Sequence, residues 1–388
     1  MRTAFIIMDG LGDLPSPKSP LAMAKKDNMD FLAEEGMLGM FYALGRGVVP
    51  GSDTSHLIIF GYGLDCYPGR GPIEALGAGV VLKEGDVAFR TNFATVDSRG
   101  AIVDRRAGRI ATEEAKKLEK LLQGIEVDGY EFIFKSTVEH RGVLVIRGDG
   151  LSSDVGDTDP HRIGIAALEC MPKNEGEGAK KTAHLVNYFI EEAAKRLQGK
   201  KANYILVRGA GEHKKVESFS KKFNTKAVMA AGGAMYKGVA RYVGMEAPDI
   251  EGTTGDANSN YGNKADYAIK SKAELAFIHI KATDSYGHDG NCIGKRKIIE
   301  RVDTEVVGRI REEFDTIIIT GDHATPCSLK RHSGHGAPLL AYGSSVGKEP
   351  SDYFSEIEGE RGALGHIEGL ELNHMLMDWM GKSRKVGS

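Results

Sequence analysis

The segment Asp315 to His335, DTIIITGDHATPCSLKRHSGH, constrains the fold of this chain more than any other stretch. Thr316 to Thr320 is a short run of β-branched and apolar residues bounded by turn signals, which predicts a buried strand. Gly321 ends the run, and Asp322 and His323 follow at once. They therefore stand at the carboxyl end of a strand, the edge where open α/β sheets bind ligands. His332 and His335 come later in the same loop. A carboxylate and several imidazoles are oxygen and nitrogen donors suited to Zn or Mn rather than a thiolate centre. Taken alone, the segment leaves two uses open, metal binding and the capping of a following helix.

Other strand ends repeat the pattern. Ala4 to Met8 predicts a first strand, with Asp9-Gly10 at its end, although Asp-Gly most often serves as a turn. Leu275 to Ile280 predicts another, followed by Asp284 and His288 four residues apart in a glycine-containing loop, where both can reach one ion. Ile298, Val302, Val306 and Ile310 mark an amphipathic helix running into the Thr316 strand. Pro50 to Leu57, PGSDTSHL, puts Ser52 at a predicted helix start, where free N–H groups suit an anion and a nearby ion would activate the hydroxyl. An ordinary N-cap cluster explains the same residues, and Ser55 is the alternative hydroxyl.

From about Val80 the texture changes. Short strands are predicted at Phe89 to Val96, Ala101 to Val103, Phe132 to Phe134, Val143 to Ile146 and Tyr204 to Val207. Helices are predicted at Thr112 to Leu122 and Lys180 to Leu197. Loops here carry Arg105, Arg106 and Arg109, the run DVGDTDPHR, and Arg208. Arginine is the usual reader of phosphate and carboxylate groups, through a planar fork that donates bidentately. After about Lys214 the strand–helix alternation returns, and the tail from Leu364 to Met380 has a helical pattern. The expected organisation is a discontinuous α/β core from residues 1–78 and 215–388, with helices on both sheet faces, and a smaller α/β domain inserted at 79–214.

A chain of 388 residues is long enough for two such domains. A net charge of -3 argues against a bulk nucleic-acid binder, and no stretch approaches a membrane span. Four separated cysteines without CxxC spacing suggest reduced thiols in a cytoplasmic protein. The partner expected is a small molecule, and the oligomeric state is not legible here.

Two groups of three to four donors, gathered from separate strand ends, would satisfy two divalent ions, the standard clamp for in-line phosphoryl transfer. At this point the chain resembles the archaeal type of 2,3-bisphosphoglycerate-independent phosphoglycerate mutase, in the alkaline phosphatase superfamily. The motifs that carry the resemblance are MDGLGD at Met8, PGSDTSH at Pro50, GRGPIEALG at Gly69, DRRAGR at Asp104, DTDPH at Asp157, VRGAG at Val207, DSYGHDG at Asp284 and GDHATP at Gly321.

The resemblance implies an alkaline-phosphatase-like core sheet. It also implies interconversion of 3-phosphoglycerate and 2-phosphoglycerate through a phosphoserine at Ser52, without 2,3-bisphosphoglycerate. Asp284, His288 and His332 would hold one ion; Asp9, Ser52, Asp322 and His323 would hold the other, the metal being Mn, Mg, Co or Zn. The inserted domain would grip substrate with Arg105, Arg106, Arg109 and Arg208, with Lys237 beside the phosphoryl group and domain closure excluding water. One departure stands out: the family usually follows its last metal histidine with an acidic residue and Pro-Val-Pro, whereas here Ser333 to Pro338 follow His332. Counting back from Pro338 selects His332, and His335 is additional. A metal-dependent phosphomonoesterase using the same serine and ions is the rival reading.

Overall fold

The computed structural model describes every residue except Arg384, Val386 and Ser388. Among the described residues thirteen strands follow one another: β1 (Thr3–Met8), β2 (Met37–Tyr42), β3 (Val87–Val96), β4 (Ile102–Asp104), β5 (Glu126–Val127), β6 (Tyr130–Ser136), β7 (Arg141–Arg147), β8 (Tyr204–Glu212), β9 (Ala227–Ala230), β10 (Leu275–Ile280), β11 (Thr316–Thr320), β12 (Ala337–Gly343) and β13 (Gly365–Glu368). They fall into two compact units, one from Met1–Tyr67 and Glu217–Ser388, the other from Pro68–Val216.

The first unit is built on a sheet of order β13-β2-β12-β11-β1-β10-β9. Its heart, β9, β10, β1 and β11, is parallel, and β1, β10 and β11 are buried at every position. Strands covered on both faces read as continuous apolar runs rather than as alternations, hence TAFIIM and TIIIT. On one face Ile6, Ile278 and Ile319 pack with Met29 and Leu32 of the helix Asp27–Glu34, and with Ile299 and Val302 of the helix Cys292–Val302. On the other, Phe277 meets Phe5, Phe60 and Phe219, with ring centroids 4.8 Å apart for Phe60 and Phe277. Each such side chain withdrawn from water contributes roughly 1.5–3 kcal/mol. That core fixes strand register, and register decides which residues meet beyond the strand ends.

Three features depart from the pattern read in the sequence. β2 and β12 form an antiparallel continuation of the sheet that the apolar runs did not announce. The tail begins not as helix but as β13, which adds in parallel to β2 before the helix Glu371–Trp379 starts. Edge pairing outweighs local propensity there: Leu364 N–H donates to the Leu38 carbonyl and Gly365 stands at φ +67°. Asp284 and His288 lie on the helix Ala282–Asp289 rather than in a loop, so their spacing of four places both on one helix face.

The second unit is an antiparallel sheet, order β4-β3-β7-β6-β5, with β8 also pairing β3. The helices Thr112–Leu121 and Glu177–Arg196 bury Leu118, Phe189 and Ala193 against Phe89, Phe132 and Phe134. The helix Arg70–Gly77 covers Ala88, Val143 and Val145 with Ala75. It approaches β3 so closely that a Cβ at Gly71 would lie 1.9 Å from the Ala88 carbonyl oxygen. This packing puts the boundary at Tyr67/Pro68 and Val216/Glu217, instead of at 78/79 and 214/215. Among the described residues, no helix is long and apolar enough to cross a membrane.

Candidate functional site

Because β10, β1 and β11 are adjacent and parallel, with Met8 beside Ile280 and Ile7 beside Thr320, their carboxyl ends form one edge. Asp9, Asp284 and Asp322 all emerge there, from segments far apart in sequence. Two sets of donor atoms result, each lying within 4.8 Å of one another: Asp284, His288 and His332, and Asp9, Asp322 and His323. Ser52, first residue of the helix Ser52–Ile59, places Oγ 3.1 Å from His323 Nε2. The structure thus brings all seven predicted donors to one edge.

It also separates the two histidines that the sequence left ambiguous. His332 stacks on His323 at 3.7 Å between centroids, with Nε2 3.4 Å from Asp284 Oδ1. His335 instead turns Nδ1 to the Ser333 hydroxyl at 3.0 Å and joins neither set. Ser55 is fully buried with its hydroxyl unpartnered, while Ser52 faces the donors.

Each donor imidazole has one nitrogen spoken for by an oxygen. His332 Nδ1 lies 2.8 Å from the Pro50 carbonyl, His288 Nδ1 3.1 Å from the Lys330 carbonyl, and His323 Nδ1 3.1 Å from Thr325 Oγ1. Anchoring Nδ1 this way fixes ring orientation and leaves Nε2 for a cation, the usual outer arrangement of metal histidines. The carboxylates are steadied likewise: Gly10 N–H donates to Asp322 Oδ1 and Thr325 Oγ1 to Asp284 Oδ1.

The charge pattern fits a cation. Burial pushes the Asp322 carboxyl up, and the Asp9 carboxylate pushes it further. Burial opposes ionisation of Asp9 too, but the Lys281 ammonium and bonds from His279 and His323 hold it well below the usual range. Against its own burial, His323 is lifted to about 9 by Asp322 and Asp9. Asp322 Oδ2 is buried without a hydrogen-bond partner, an arrangement that costs about 1–3 kcal/mol or more unless a cation compensates it. The residues present therefore fit divalent ions.

Three neighbours were not picked out in the sequence. His279, within the apolar run of β10, sets Nε2 3.2 Å from Asp9 Oδ2 and stacks on Tyr236 at 3.6 Å. Lys281, just past that strand, reaches Asp9 Oδ1 at 3.3 Å and Asp284 Oδ2 at 2.5 Å. His56 brings Nδ1 to the Ser52 carbonyl at 2.7 Å, closing the first turn of the serine's helix. A histidine inside an apolar run and a lysine at a strand end were the available signals. Lys237 pairs with Asp249, and Lys281 sets its ammonium against the donor carboxylates Asp9 and Asp284.

In the second unit, Arg105 grips Asp159 bidentately, with Nε and Nη2 each at 2.7 Å, and its Nη2 also meets His161 Nδ1. Arg208, across the β3–β8 pair from Arg90, has one nitrogen 4.0 Å from Asp159 and a buried Nε without a partner. Burial lowers its pKa, and Arg105 and Arg141 lower it further against the opposing pull of Asp159. Burial likewise lowers Arg90 against the opposing pull of Glu74, which it meets at 3.5 Å, and Arg70, Arg208 and Arg141 act in the same sense as burial. Arg106 and Arg109 are exposed on the turn that follows β4.

A parallel sheet edge bearing two oxygen–nitrogen donor sets and a serine at a helix start defines an α/β enzyme with candidate metal-ligand groups. The model of the 2,3-bisphosphoglycerate-independent phosphoglycerate mutase family matches residues 33–203. The protein of that name from Methanocaldococcus jannaschii, numbered 1 there, is 40% identical over 407 residues, covering 100% of this chain and 99% of the relative. Its counterpart in Pyrobaculum aerophilum is 42% identical over 407 residues, covering 99% and 98%. The solved cofactor-independent phosphoglycerate mutase from Thermoplasma acidophilum has a TM-score of 0.73 at 32% identity, covering 98% of this chain and 100% of that one. The chain belongs to the 2,3-bisphosphoglycerate-independent phosphoglycerate mutase family of enzymes.

Proposed function

We propose that this enzyme interconverts 3-phosphoglycerate and 2-phosphoglycerate through a phosphoserine at Ser52. The observation that carries the reading is the position of Ser52 Oγ at the start of a helix, 3.1 Å from Nε2 of His323, a member of one donor set. Asp9, Ser52, Asp322 and His323 would hold one divalent ion, and Asp284, His288 and His332 a second. When bound, such ions would lower the serine hydroxyl pKa and neutralise the oxygens of a transferring phosphoryl group.

The chain's own residues do the rest. The phosphoryl group passes from the 3-oxygen of the substrate to Ser52 Oγ: the new O–P bond forms as the old one breaks, and glycerate takes a proton. Transfer back to the 2-oxygen reverses these events. The first turn of the helix Ser52–Ile59 presents N–H groups and the positive end of its dipole to the phosphoryl anion. Lys281 adds a cation against Asp9 and Asp284. His56 and the anchored Nδ1 atoms hold the groups in place, so little reorganisation accompanies transfer.

Holding glycerate between the two transfers falls, in this reading, to the second unit. Arg208 has a donor without a partner and Arg106 and Arg109 are exposed, while Arg105 is committed to Asp159 and positions the cluster.

The test is conversion of 3-phosphoglycerate without 2,3-bisphosphoglycerate, before and after chelation and after return of Mn, Mg, Co or Zn. Activity should vanish with the metal and return with it. Mass spectrometry of quenched enzyme should place phosphate on Ser52, and Ser52→Ala should abolish both phosphate incorporation and turnover. Phosphate on Ser55, or turnover in the Ser52→Ala protein, would overturn the assignment. Release of inorganic phosphate in place of 2-phosphoglycerate would make the protein a phosphomonoesterase.

A further inference from the structure

The motif MDGLGD ends in Asp13, which the reaction above leaves unused, and the helix Cys292–Val302 carries a lysine, Lys295, that is unused and fully buried. An ammonium has three N–H donors, and burying one is costly unless each donor finds an acceptor and the charge is balanced. Here all three are met: the Gly12 and Thr325 carbonyls accept at 3.0 Å each, and Asp13 Oδ2 accepts at 3.3 Å. Asp13 is held in turn. Its Oδ2 also accepts the Cys327 N–H at 3.0 Å, its Oδ1 accepts the Leu14 N–H at 2.9 Å, and its own N–H donates to the buried Glu356 at 3.2 Å.

The three segments that meet at this ammonium are those that carry the donors. Gly12 and Asp13 end the turn that Asp9 begins after β1. Thr325 and Cys327 lie between His323 and His332, in the loop from β11 to β12. Lys295 stands one helix on from Asp284 and His288, with only the corner at Gly290 and Asn291 between the two helices. Backbone contacts close the same junction: Thr325 N–H donates to the Gly12 carbonyl at 3.0 Å, and a Cβ at Gly287 would lie 2.5 Å from the Thr325 carbonyl oxygen. Thr325 then reaches the donors directly, with its hydroxyl 2.7 Å from Asp284 Oδ1 and 3.1 Å from His323 Nδ1.

We propose, on the reading of the two donor sets as ion sites, that Lys295 balanced by Asp13 is a positioning residue that fixes those sets relative to one another. Strand register brings three strand ends to one edge, but it does not hold together the loops beyond them. Two carbonyls and a carboxylate are all acceptors, so they gather only around a shared donor. The Lys295 ammonium is that donor, and each of its three bonds goes to a residue outside both donor sets. Removing it leaves buried acceptors short of a bond and Asp13 without its counter-charge, so the loops relax and the donors lose the arrangement an ion requires.

The test is calorimetric titration of the full chain, stripped with chelator, with Mn, Mg, Co and Zn in turn, together with amide hydrogen exchange on the same samples. Wild type is compared with Lys295→Met and with the double variant Lys295→Met, Asp13→Asn, which removes both charges and spares the fold an unpaired carboxylate. Lys26→Met is the control: Lys26 is also buried in the first unit and pairs with Asp30 at 2.9 Å, on a segment that carries no donor. Both Lys295 variants should bind ions at least about tenfold more weakly than wild type, whereas Lys26→Met should melt lower yet keep near wild-type affinity. The Thr325 and Cys327 amides should exchange faster in the Lys295 variants and not in Lys26→Met. Wild-type affinity in the folded double variant would overturn the proposal. So would an equal loss in Lys26→Met, because affinity would then follow overall stability. If wild type bound none of these ions, the ion-site reading itself would fall, and exchange would decide whether Lys295 holds the loops: unchanged rates at Thr325 and Cys327 would overturn that too.

Discussion

Replacing Gly10 by alanine tests how tightly the strand ends determine the donor geometry. Gly10 follows Asp9 at φ +61°, a conformation that costs a residue with a Cβ roughly 1–2 kcal/mol. The added Cβ would also lie 2.5 Å from Thr325 Oγ1, 2.9 Å from Asp284 Oδ1 and 3.0 Å from Asp284 Cα. One of these atoms is backbone, so a rotamer change alone cannot relieve the clash, and overpacking of this kind adds about 1–3 kcal/mol. The Thr325–Asp284 hydrogen bond, 2.7 Å long, lies in the path and would be strained or lost. The total is roughly 3–5 kcal/mol against a typical stability of about 5–15 kcal/mol. Gly10→Ala should therefore remain folded at room temperature but melt roughly 10 °C lower. Displacing Asp284 should also weaken divalent-ion binding by at least about tenfold, the lower end of what disturbed outer contacts cost. Thermal unfolding monitored by circular dichroism and metal titration by calorimetry read the two effects separately. Wild-type melting and wild-type affinity together would refute the claim that this turn has no room for a side chain.

Three further outcomes follow from the same geometry. His332→Ala removes one of three donors and should lower metal stoichiometry or affinity by more than about 100-fold, beyond the range of an outer contact, whereas His335→Ala loses only its bond to Ser333 and should leave affinity near wild type; calorimetric titration giving the opposite ranking would refute the placement. Arg208→Ala should lower mutase turnover at least about tenfold while raising the ratio of phosphate released to 2-phosphoglycerate formed, and a proportional fall in both would show that Arg208 acts on the chemical step or on folding. His140, buried, is depressed to about 4 by desolvation, with Arg141 and, more weakly, Arg106 and Arg109 acting in the same sense against Glu139. A folded pKa below the unfolded one means stability present above about pH 6.5 and lost as pH falls toward 4, by roughly 1–3 kcal/mol; His140→Gln should flatten that limb of the denaturation profile, and an unchanged slope would exclude the histidine as its source.

The sequence determined the chemistry of the site through local order. Gly321, Asp322 and His323 directly after TIIIT put a carboxylate and an imidazole at a strand end, because turn residues and apolar runs are short-range signals. Ser52 at a helix start and the arginines of the inserted region were legible for the same reason. Which residues share a site was decided by register. Asp9, Asp284 and Asp322 meet because three parallel strands align, and that alignment depends on both sheet faces being packed. The choice between His332 and His335 was likewise tertiary, since two histidines in one loop are chemically equivalent until the Pro50 carbonyl takes one ring and the Ser333 hydroxyl the other. His279 and Lys281 stayed hidden because a lone histidine or lysine acquires meaning only from what lies across the strand, here Asp9. The helix Arg70–Gly77 joined the second unit for a similar reason: its glycine at position 71 fits β3 at a separation no local pattern encodes. Side-chain chemistry and short-range periodicity are written along the chain, but a binding site is a set of distances between segments, and only the packed sheet supplies those.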